Sequence, residues 1–316
     1  MHCQCPFRLQ IGAQREGALI VQHEQATISC KGLDRAFYEV QEGGLVHASE
    51  HLKSAPKASA DRLFLTAVSG VETFRPLFDA LAGTGFYNIN PEPIREIHPH
   101  DRGELLDRSG RNLAAMIKRL SEERPGTLER IQQYLRQIVP GIEAVDHISF
   151  GPRETLEFRQ AVLKNKPPWR FYATSMSDGT LRSLGVLTAL FQFSRHQRDT
   201  VPLIAIEEPE STIHPGAANI LMDAILEASR TQQIIVTAHS RDLLDHIALK
   251  SSNILAVKKD ENDTLIAPVD EASLSAIKDG LYTPGELLRN GQLQPDLSKT
   301  VPSLRQSDLF DPVENA

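Results

Sequence analysis

The most constraining feature of this 316-residue sequence is an apolar run that ends abruptly in two acids, in the segment LIAIEEPEST at residues 203–212. Four consecutive apolar residues followed by Glu207 and Glu208 are typical of a strand buried on both faces of a parallel sheet. Carboxylates at the exit of such a strand lie at the sheet edge where α/β proteins bind ligands. Acids at this place suit a hydrated Mg²⁺ and a water molecule directed at a phosphate.

A second strand pattern follows, and the residues between the two strands have helical periodicity. The segment IIVTAHSRDLL at residues 234–244 begins as an apolar run and then reaches His239. Residues 216–230 place apolar side chains at helical spacing. A strand, a helix and a second strand form a βαβ unit, in which the two strands are parallel. The pattern therefore predicts that Glu207, Glu208 and His239 lie at the same edge of one sheet.

Further upstream, the segment SMSDGTLRSLGVLTALF at residues 175–191 predicts a helix with a capped start. Ser177 or Asp178 can act as the N-cap, and apolar residues recur along one face of the helix that follows. Gly179 has no side chain and so allows a phosphate to approach the backbone closely. A capped helix start with a small residue is a candidate anion site.

These three elements, in this order, resemble the second half of an ABC-type ATPase of the SMC/RecF kind. The resemblance is strongest to the bacterial AAA- and ABC-class ATPases that include OLD-like and phage-defence proteins. It implies an α/β, ABC-ATPase-like P-loop NTPase fold with a mostly parallel C-lobe sheet, an antiparallel β-subdomain and a short helical insertion. The resemblance covers residues 145–295 well and residues 1–145 more loosely. The motifs are specific as an ordered set, although each alone is not.

The resemblance also implies roles for the residues at the sheet edge. Glu207 takes the magnesium position of the Walker B motif, where many ABC ATPases have aspartate, and Glu208 takes the position of the general base. Residues 209–215 resemble the D-loop, in which His214 is expected to shape the loop rather than to act in chemistry. His239 resembles the switch histidine, whose neutral imidazole bridges the γ-phosphate and the attacking water. ATP and Mg²⁺ are the implied cofactors.

By the same resemblance, the capped helix start is the signature motif, which contacts the γ-phosphate of ATP held by the opposite subunit. Its residues are Ser177, Asp178, Gly179 and Thr180. Arg182, close behind, is a candidate contact to the nucleotide or to a partner. A plain helix cap is the simpler interpretation of the motif, and capping is part of its role in either case. The sequence does not place the family's Q-loop residue, for which Asn88 and Asn90 are candidates.

A P-loop is the element that the motif set lacks, because no G-x-x-x-x-G-K-[ST] string occurs in the 316 residues. Backbone N–H groups and a lysine of that loop normally wrap the phosphates. The chain opens on MHCQCPFRLQIGA, where FRLQIGA already predicts a strand that in the family follows the P-loop. We therefore expect an ABC-type ATPase without its N-terminal Walker A segment, through truncation, a misassigned start codon or division into two subunits. The sequence does not choose among these.

Composition restricts the remaining classes of protein. With 41% hydrophobic and 24% charged residues, the chain is ordinary globular material, and no stretch approaches the roughly 20 apolar residues of a membrane span. Three cysteines, Cys3, Cys5 and Cys30, argue against a disulfide framework and for a cytoplasmic protein. A net charge of −7 does not support broad affinity for nucleic acids, so the charge gives no support for DNA as a partner.

The organisation of the chain is expected to have four parts. Residues 1–75 are the N-lobe remnant, an antiparallel β-subdomain with a hairpin turn at Gly43-Gly44. Residues 76–144 are a helical insertion, with helices over 112–120 and 127–139. Residues 145–294 carry the signature helix and the Walker B, D-loop and switch-histidine lobe, and residues 295–316 form a flexible tail.

Three functions follow from these patterns. The first is an ATP-hydrolysing dimer switch, as a homodimer or with a partner ATPase subunit, and the resemblance implies an output in DNA repair, chromosome maintenance or anti-phage defence. The second is a non-catalytic interaction module, or a truncated fragment, that offers its signature face to a complete partner ATPase. The third is a metal-dependent hydrolase using Glu207, Glu208, His214 and His239. That function requires ligands within about 2 Å of one metal, which adjacent strand residues pointing to opposite faces disfavour. Whether the chain alone is an enzyme stays open.

Overall fold

The computed structural model describes residues 3–13, 19–30, 35–52, 56–161, 167–192, 203–260 and 263–299. The chain divides into two compact units. The first comprises Met1–Ala82, Ser252–Ala272 and Gln294–Ala316, and the second comprises Gly83–Ser251 and Ser273–Leu293. Among the helices of these described ranges, none is both long and apolar enough to cross a membrane.

The first unit contains a five-stranded antiparallel sheet, in agreement with the alternating runs of the sequence. Its strands are β1 (Cys3–Gln4), β2 (Phe7–Ala13), β3 (Leu19–Cys30), β4 (Ala36–Gln41) and β5 (Gly44–Ala48). The turn between β4 and β5 consists of Glu42 and Gly43, which both have positive φ as a type I′ turn requires. The turn therefore lies one residue before the predicted Gly43-Gly44, because Gly44 already pairs with Gln41.

A buried carboxylate fastens this sheet to α1 (Phe64–Val68). Glu24 is fully buried and accepts hydrogen bonds from the Tyr38 hydroxyl at 2.7 Å and from the backbone N–H groups of Phe64 and Leu65 at 2.6 and 2.8 Å. The carboxylate satisfies N–H groups that the first turn of a helix leaves free. Burial, together with Glu24, raises the pKa of Tyr38. The remaining elements of the unit are α2 (Arg75–Ala82) and the hairpin of β13 (Leu255–Asp260) and β14 (Asp263–Pro268).

The second unit contains a three-stranded parallel sheet in the order β12-β11-β6. Its strands are β6 (Gly85–Tyr87), β11 (Leu203–Glu207) and β12 (Gln233–Thr237), and α7 (Ala218–Ala228) connects the last two. The predicted βαβ unit is confirmed, and its register pairs Glu207 with Thr237. The third strand, β6, lies within the segment 76–144 that the sequence predicted as helical, so this part of that prediction is wrong.

One face of the parallel sheet is buried and the other is open. Ile204 and Ile206 of β11 belong to the main hydrophobic core, to which α7 and α6 (Asp178–Phe191) also contribute. On the opposite face Ala205 pairs with Phe86 and Ile235, whose exposed fractions are 59% and 47%. The prediction that β11 is buried on both faces is therefore wrong, because packing covers one face only.

An antiparallel sheet and two further helices complete the core of the second unit. The strands are β7 (His98–Pro99), β8 (Ile142–Phe150), β9 (Arg153–Gln160) and β10 (Trp169–Tyr172), and β9 pairs with all three others. The predicted helices are present as α4 (Leu113–Glu123) and α5 (Pro125–Ile138). Shorter helices are α3 (Pro91–Arg95), α8 (Arg241–Leu244) and α10 (Pro284–Arg289), while α9 (Glu271–Lys278) crosses the boundary between the units.

Helices α5 and α7 are joined by an ionic contact. Two nitrogens of the Arg130 guanidinium, Nε and Nη2, donate to the two carboxylate oxygens of Glu227. The Tyr134 hydroxyl donates to the same carboxylate at 2.8 Å. The Arg130 contact lowers the pKa of Glu227, and burial together with Glu227 raises the pKa of Tyr134 to about 12.

The predicted tail at 295–316 falls only in part within the described residues. Pro295 forms an isolated bridge with Val269, and Leu297–Lys299 is a single turn of 3₁₀ helix. The rest, 300–316, lies outside the described residues.

Candidate active site at the carboxyl edge of the parallel sheet

The acids of the apolar run and the histidine of the second strand meet at one edge of the sheet. Glu207 ends β11, and the N–H of Glu208 donates to the carbonyl of Thr237 at the end of β12, at 2.9 Å. The Glu208 carboxylate lies 3.8 Å from Nε2 of His239. All three side chains are exposed, so a ligand can reach them from solvent. The predicted convergence of these residues is confirmed.

Glu208 has a left-handed backbone, with φ of 42°. A non-glycine residue in this region is uncommon, and such strain persists where surrounding contacts hold it. Arg182 provides these contacts, because its guanidinium donates to the carbonyls of Ile89 at 2.8 Å, Glu208 at 3.0 Å and Glu207 at 3.3 Å. Burial lowers the pKa of Arg182, against the opposing charges of Glu208 and Glu210. In this structure Arg182 positions the exit of β11, and its contact to a nucleotide stays a prediction.

The carboxylate of Glu207 contacts two side chains that the motif did not place. The Asn88 amide donates to Glu207 Oε2 at 2.6 Å, and Arg108 Nη2 lies 3.8 Å from Oε1. Asn90, the other Q-loop candidate, is instead the N-cap of α3. Asn88 follows β6, so pairing of this short strand with β11 brings the amide to the acid. A three-residue strand has no periodicity that sequence analysis could have recognised.

A shallow groove of about 390 Å³ opens beside Glu207. It is lined by Asn88, Ile89, Asn90, Asp107, Arg108, Ser109 and Arg182. The loop at 107–109 is held there by the chain after β6, since the N–H groups of Asn88 and Asn90 donate to the carbonyls of Arg108 and Ser109 at 3.0 Å each. The groove therefore places the exposed guanidinium of Arg108 beside the predicted magnesium ligand, in a setting suited to phosphate oxygens.

Glu210, in the segment predicted to be the D-loop, is a further residue that sequence analysis missed. Its Oε1 accepts hydrogen bonds from the backbone N–H groups of His239 at 3.0 Å and Ser240 at 3.2 Å. Ser240 in turn is the N-cap of α8. Glu210 thus connects the D-loop to the backbone that carries the predicted switch histidine. The sequence signal was the third acid of the EEPE string, which lies two residues after Glu208.

The predicted signature motif begins α6. Ser177 is the N-cap and accepts from the N–H of Thr180 at 3.3 Å, while Asp178 forms an ion pair with Arg95 of α3. A Cβ atom on Gly179 would lie 2.6 Å from the carbonyl oxygen of Thr212 in the D-loop. The glycine is therefore required by an intrachain contact, which no sequence pattern indicated. Contact of these four residues with phosphate stays a prediction.

The alternative of a metal-dependent hydrolase receives no support from the geometry. His214 accepts a hydrogen bond from the N–H of Gly216 at 3.1 Å, which is a loop-shaping contact. Within the described residues, the four ligands proposed for that function do not form a group that converges within reach of one metal ion.

The exposed Glu207 carboxylate is the oxygen ligand that this edge offers to a magnesium ion. Mg²⁺ prefers carboxylate and carbonyl oxygens and keeps several waters, so one exposed acid beside an open groove suits it. Asn88 adds an amide, whose oxygen reaches the same place when the group rotates by 180°. Glu207 and Asn88 are therefore the residues that would hold Mg²⁺ here, where the ion would neutralise charge on phosphate oxygens.

Comparison with known proteins agrees with the motifs. Residues 90–245 match a family model described as "AAA domain, putative AbiEii toxin, Type IV TA system". The chain is also 26% identical over 179 residues to the Old nuclease of Escherichia phage P2. That match covers 52% of this chain and 28% of the nuclease, so the chain spans under a third of the length of this relative.

Among solved structures, SMC head domains are similar at low sequence identity. A head bound to the C-winged helix domain of ScpA is 11% identical, with a TM-score of 0.46, covering 83% of this chain and 79% of that one. The SMC head domain from Thermotoga maritima is 13% identical, with a TM-score of 0.36, covering 82% and 72%.

Proposed function

We propose that this chain, whose residues 90–245 match the AAA-domain family model, is an ABC-type, OLD-like ATPase and forms the hydrolytic part of a nucleotide-driven dimer switch. The observation that carries the proposal is the meeting of Glu207, Glu208 and His239 at one sheet edge, with 3.8 Å between the last two side chains. A metal ligand, a base and a hydrogen-bonding imidazole in this arrangement suit in-line attack of water on a γ-phosphate.

The residues of this edge have separate tasks. Glu208 accepts the proton of the attacking water, and His239 holds that water and the γ-phosphate in line. Glu207 and Asn88 would hold Mg²⁺, which would neutralise charge on the phosphate oxygens. Arg108, beside Glu207 and open to solvent, approaches phosphate oxygens from the groove. Positioning and charge neutralisation supply most of the rate in this chemistry.

ATP bound at this edge also needs a phosphate-cradling loop, and the 316 residues contain no P-loop string. The face of the parallel sheet with Phe86, Ala205 and Ile235 is open in the described residues. Parallel sheets in α/β proteins are normally covered by helices on both faces, so an apolar helix that follows such a loop has a place to pack.

The switch is proposed to work as a sandwich of two such subunits, either a homodimer or a pair with a partner ATPase. Each subunit offers Ser177, Asp178, Gly179 and Thr180 to the nucleotide of the other. A cytoplasmic protein acting in DNA repair or phage defence is the proposed setting, since the matched relative is a phage protein named a nuclease. The net charge of −7 does not favour DNA binding, so binding of DNA would require a basic surface formed in the dimer.

Substitution of the general base tests this function. Glu208→Gln keeps size and hydrogen bonding but removes the basic carboxylate, so phosphate release should fall by about 10²–10⁴-fold while ATP binding and dimerisation persist. Where the gene encodes a P-loop string upstream in the same frame, the longer product is assayed beside the 316-residue chain. Glu122→Gln, an exposed acid of α4 far along the sequence from the motif, is the matched control.

The expected result for the 316-residue chain is slow turnover or none. Loss of the loop that fixes the phosphates removes a positioning contribution worth up to about 7–11 kcal/mol of the barrier. Unchanged turnover in the Glu208→Gln protein would reject the assignment of the base. An absence of turnover in every form, with the chain still binding a complete ATPase, would instead establish the interaction module.

A further inference from the structure

A second cluster of chemically active side chains lies in the antiparallel sheet of the second unit. His147 of β8 and Glu154 of β9 share one face of the sheet. Glu154 pairs with Ser149 of β8, and His147 lies two residues before Ser149 on that strand, so its side chain points to the same face. His100 follows β7, whose His98 also pairs with Glu154. The sheet register thus brings two imidazoles and a carboxylate from three separate chain segments together.

All three side chains converge on one point. His100 Nδ1 lies 3.0 Å and His147 Nε2 lies 2.9 Å from Oε2 of Glu154, and one ligand atom from each residue lies within 4.8 Å of the others. Tetrahedral zinc with bonds of about 2.0–2.2 Å has its ligand atoms about 3.3–3.6 Å apart. A small movement of each side chain is therefore enough to admit a metal ion.

The surroundings already orient the side chains as metal ligands are oriented. His100 Nε2, the nitrogen that faces away from the cluster, lies 3.0 Å from the carbonyl of Gly151. The second oxygen of Glu154 accepts from the backbone N–H of Asp101 at 3.1 Å. Metal-binding histidines almost always donate their other ring N–H to a carbonyl or carboxylate, which fixes the tautomer and the ring orientation.

We propose that His100, His147 and Glu154 bind a divalent first-row transition metal ion, with zinc as the best fit. Two imidazoles and one carboxylate are a ligand set of this class, whereas Mg²⁺ and Ca²⁺ take oxygen ligands. Glu154 is 2% exposed and His100 is 42% exposed, so the fourth position opens to solvent on the His100 side. The ion would cross-link the segment after β7, which carries His100, to the β8–β9 hairpin, which carries His147 and Glu154. This site is separate from the ATPase edge and does not depend on the proposed function.

The ligand atoms, and not the surrounding charge, make the site selective. Lys118 of α4 is close enough for its positive charge to act on His100. Its field opposes any cation, so binding rests on the ligand atoms themselves and not on a generally negative surface. Zinc, which bonds strongly to imidazole, is therefore expected to bind and magnesium is not.

The test is a metal titration of the chelator-stripped chain. Zinc is titrated in competition with a chromophoric chelator, for the wild type and for His100→Gln/His147→Gln, in which both amides can still donate to Glu154. The double variant should lose one zinc equivalent per chain, with affinity at that site reduced by about 100-fold or more. Zinc should also raise the Tm of the wild type but not of the double variant, and excess Mg²⁺ should change neither result.

A matched histidine provides the control. His98 lies on β7 and its ring contacts the carbonyl of Pro93, outside the cluster, so His98→Gln should bind zinc as the wild type does. Zinc bound elsewhere in the chain is also bound by the double variant, so the zinc content of the double variant is subtracted from that of the wild type. Equal zinc binding and equal Tm shifts in wild type and double variant would overturn the proposal, and would establish the cluster as a metal-free hydrogen-bond network. Loss of the site in His98→Gln would also overturn it.

Discussion

Replacement of Arg182 by methionine tests whether a side chain of α6 holds the exit of β11. Methionine preserves much of the aliphatic stem of arginine, which packs along apolar surface. It removes the guanidinium whose donors lie 2.8, 3.0 and 3.3 Å from the carbonyls of Ile89, Glu208 and Glu207. The variant therefore separates the packing of this side chain from its hydrogen bonds.

The expected loss of stability follows from those three contacts. Hydrogen bonds from a charged group contribute about 1.5–3 kcal/mol each at good geometry, and the bond of 3.3 Å contributes less. Burial of the guanidinium, visible in the lowered pKa of Arg182, offsets part of the gain. We therefore expect the free energy of unfolding to fall by about 2–4 kcal/mol. The left-handed backbone of Glu208 costs about 1–3 kcal/mol in itself, so the strand exit should loosen first.

Hydrogen exchange measured by mass spectrometry is the appropriate assay, because it reports on local opening in a chain of two compact units. Peptides covering residues 86–92 and 204–210 should exchange faster in Arg182→Met, and the urea midpoint should decrease. The control is Arg170→Met, whose side chain is 71% exposed and lies 3.4 Å from Glu157. Exchange in both peptides equal to that of the control would refute the positioning role.

Two further substitutions test other contacts of the second unit. Gly179→Ala places a methyl group 2.6 Å from the carbonyl oxygen of Thr212, so it should destabilise the protein by about 1–3 kcal/mol. The control is Gly126→Ala, whose methyl group meets nothing within 4 Å and which should be neutral or stabilising. Thermal denaturation compares the two variants, and equal Tm values would contradict the close contact. Glu227→Gln should reduce stability at neutral pH by about 1 kcal/mol, because it breaks the pair with Arg130. Because the pair lowers the pKa of Glu227 in the folded state, its contribution to stability is fully present above the ordinary pKa of 4.5 and is lost as the pH falls through the lower folded pKa. The Tm difference between the variant and the wild type should therefore disappear in acid. A difference that persists in acid would argue against the pair.

The convergence of Glu207, Glu208 and His239 could be predicted because each step of the inference is local. Two short apolar runs flank a helix with regular periodicity, and a βαβ connection makes the strands parallel, so both carboxyl ends meet at one edge. The N-cap of the signature helix was predictable for the same reason, since Ser177 bonds to a residue three positions away. Patterns of period 2 and 3.6 contain this information.

The roles of Asn88 and Glu210 could not be obtained in this way. Asn88 reaches Glu207 across 119 positions of sequence, through a strand of three residues whose pairing partner is set by the packing of the whole sheet. Glu210 stands in a recognisable motif, but its hydrogen bonds to the backbone around His239 depend on how two loops lie against each other. Propensity and periodicity describe neighbours along the chain and do not specify such contacts.

The sequence by itself determined the α/β class, the βαβ unit and the edge at which the acids and the histidine meet. Only the tertiary structure decided which side chains surround them, which face of the parallel sheet is open, and that His100, His147 and Glu154 share one point. The physical reason is that strand exits and helix caps are fixed by residues a few positions apart. Sheet register, glycine contacts such as that of Gly179 with Thr212, and clusters of ligands arise from close packing between segments that are distant in sequence.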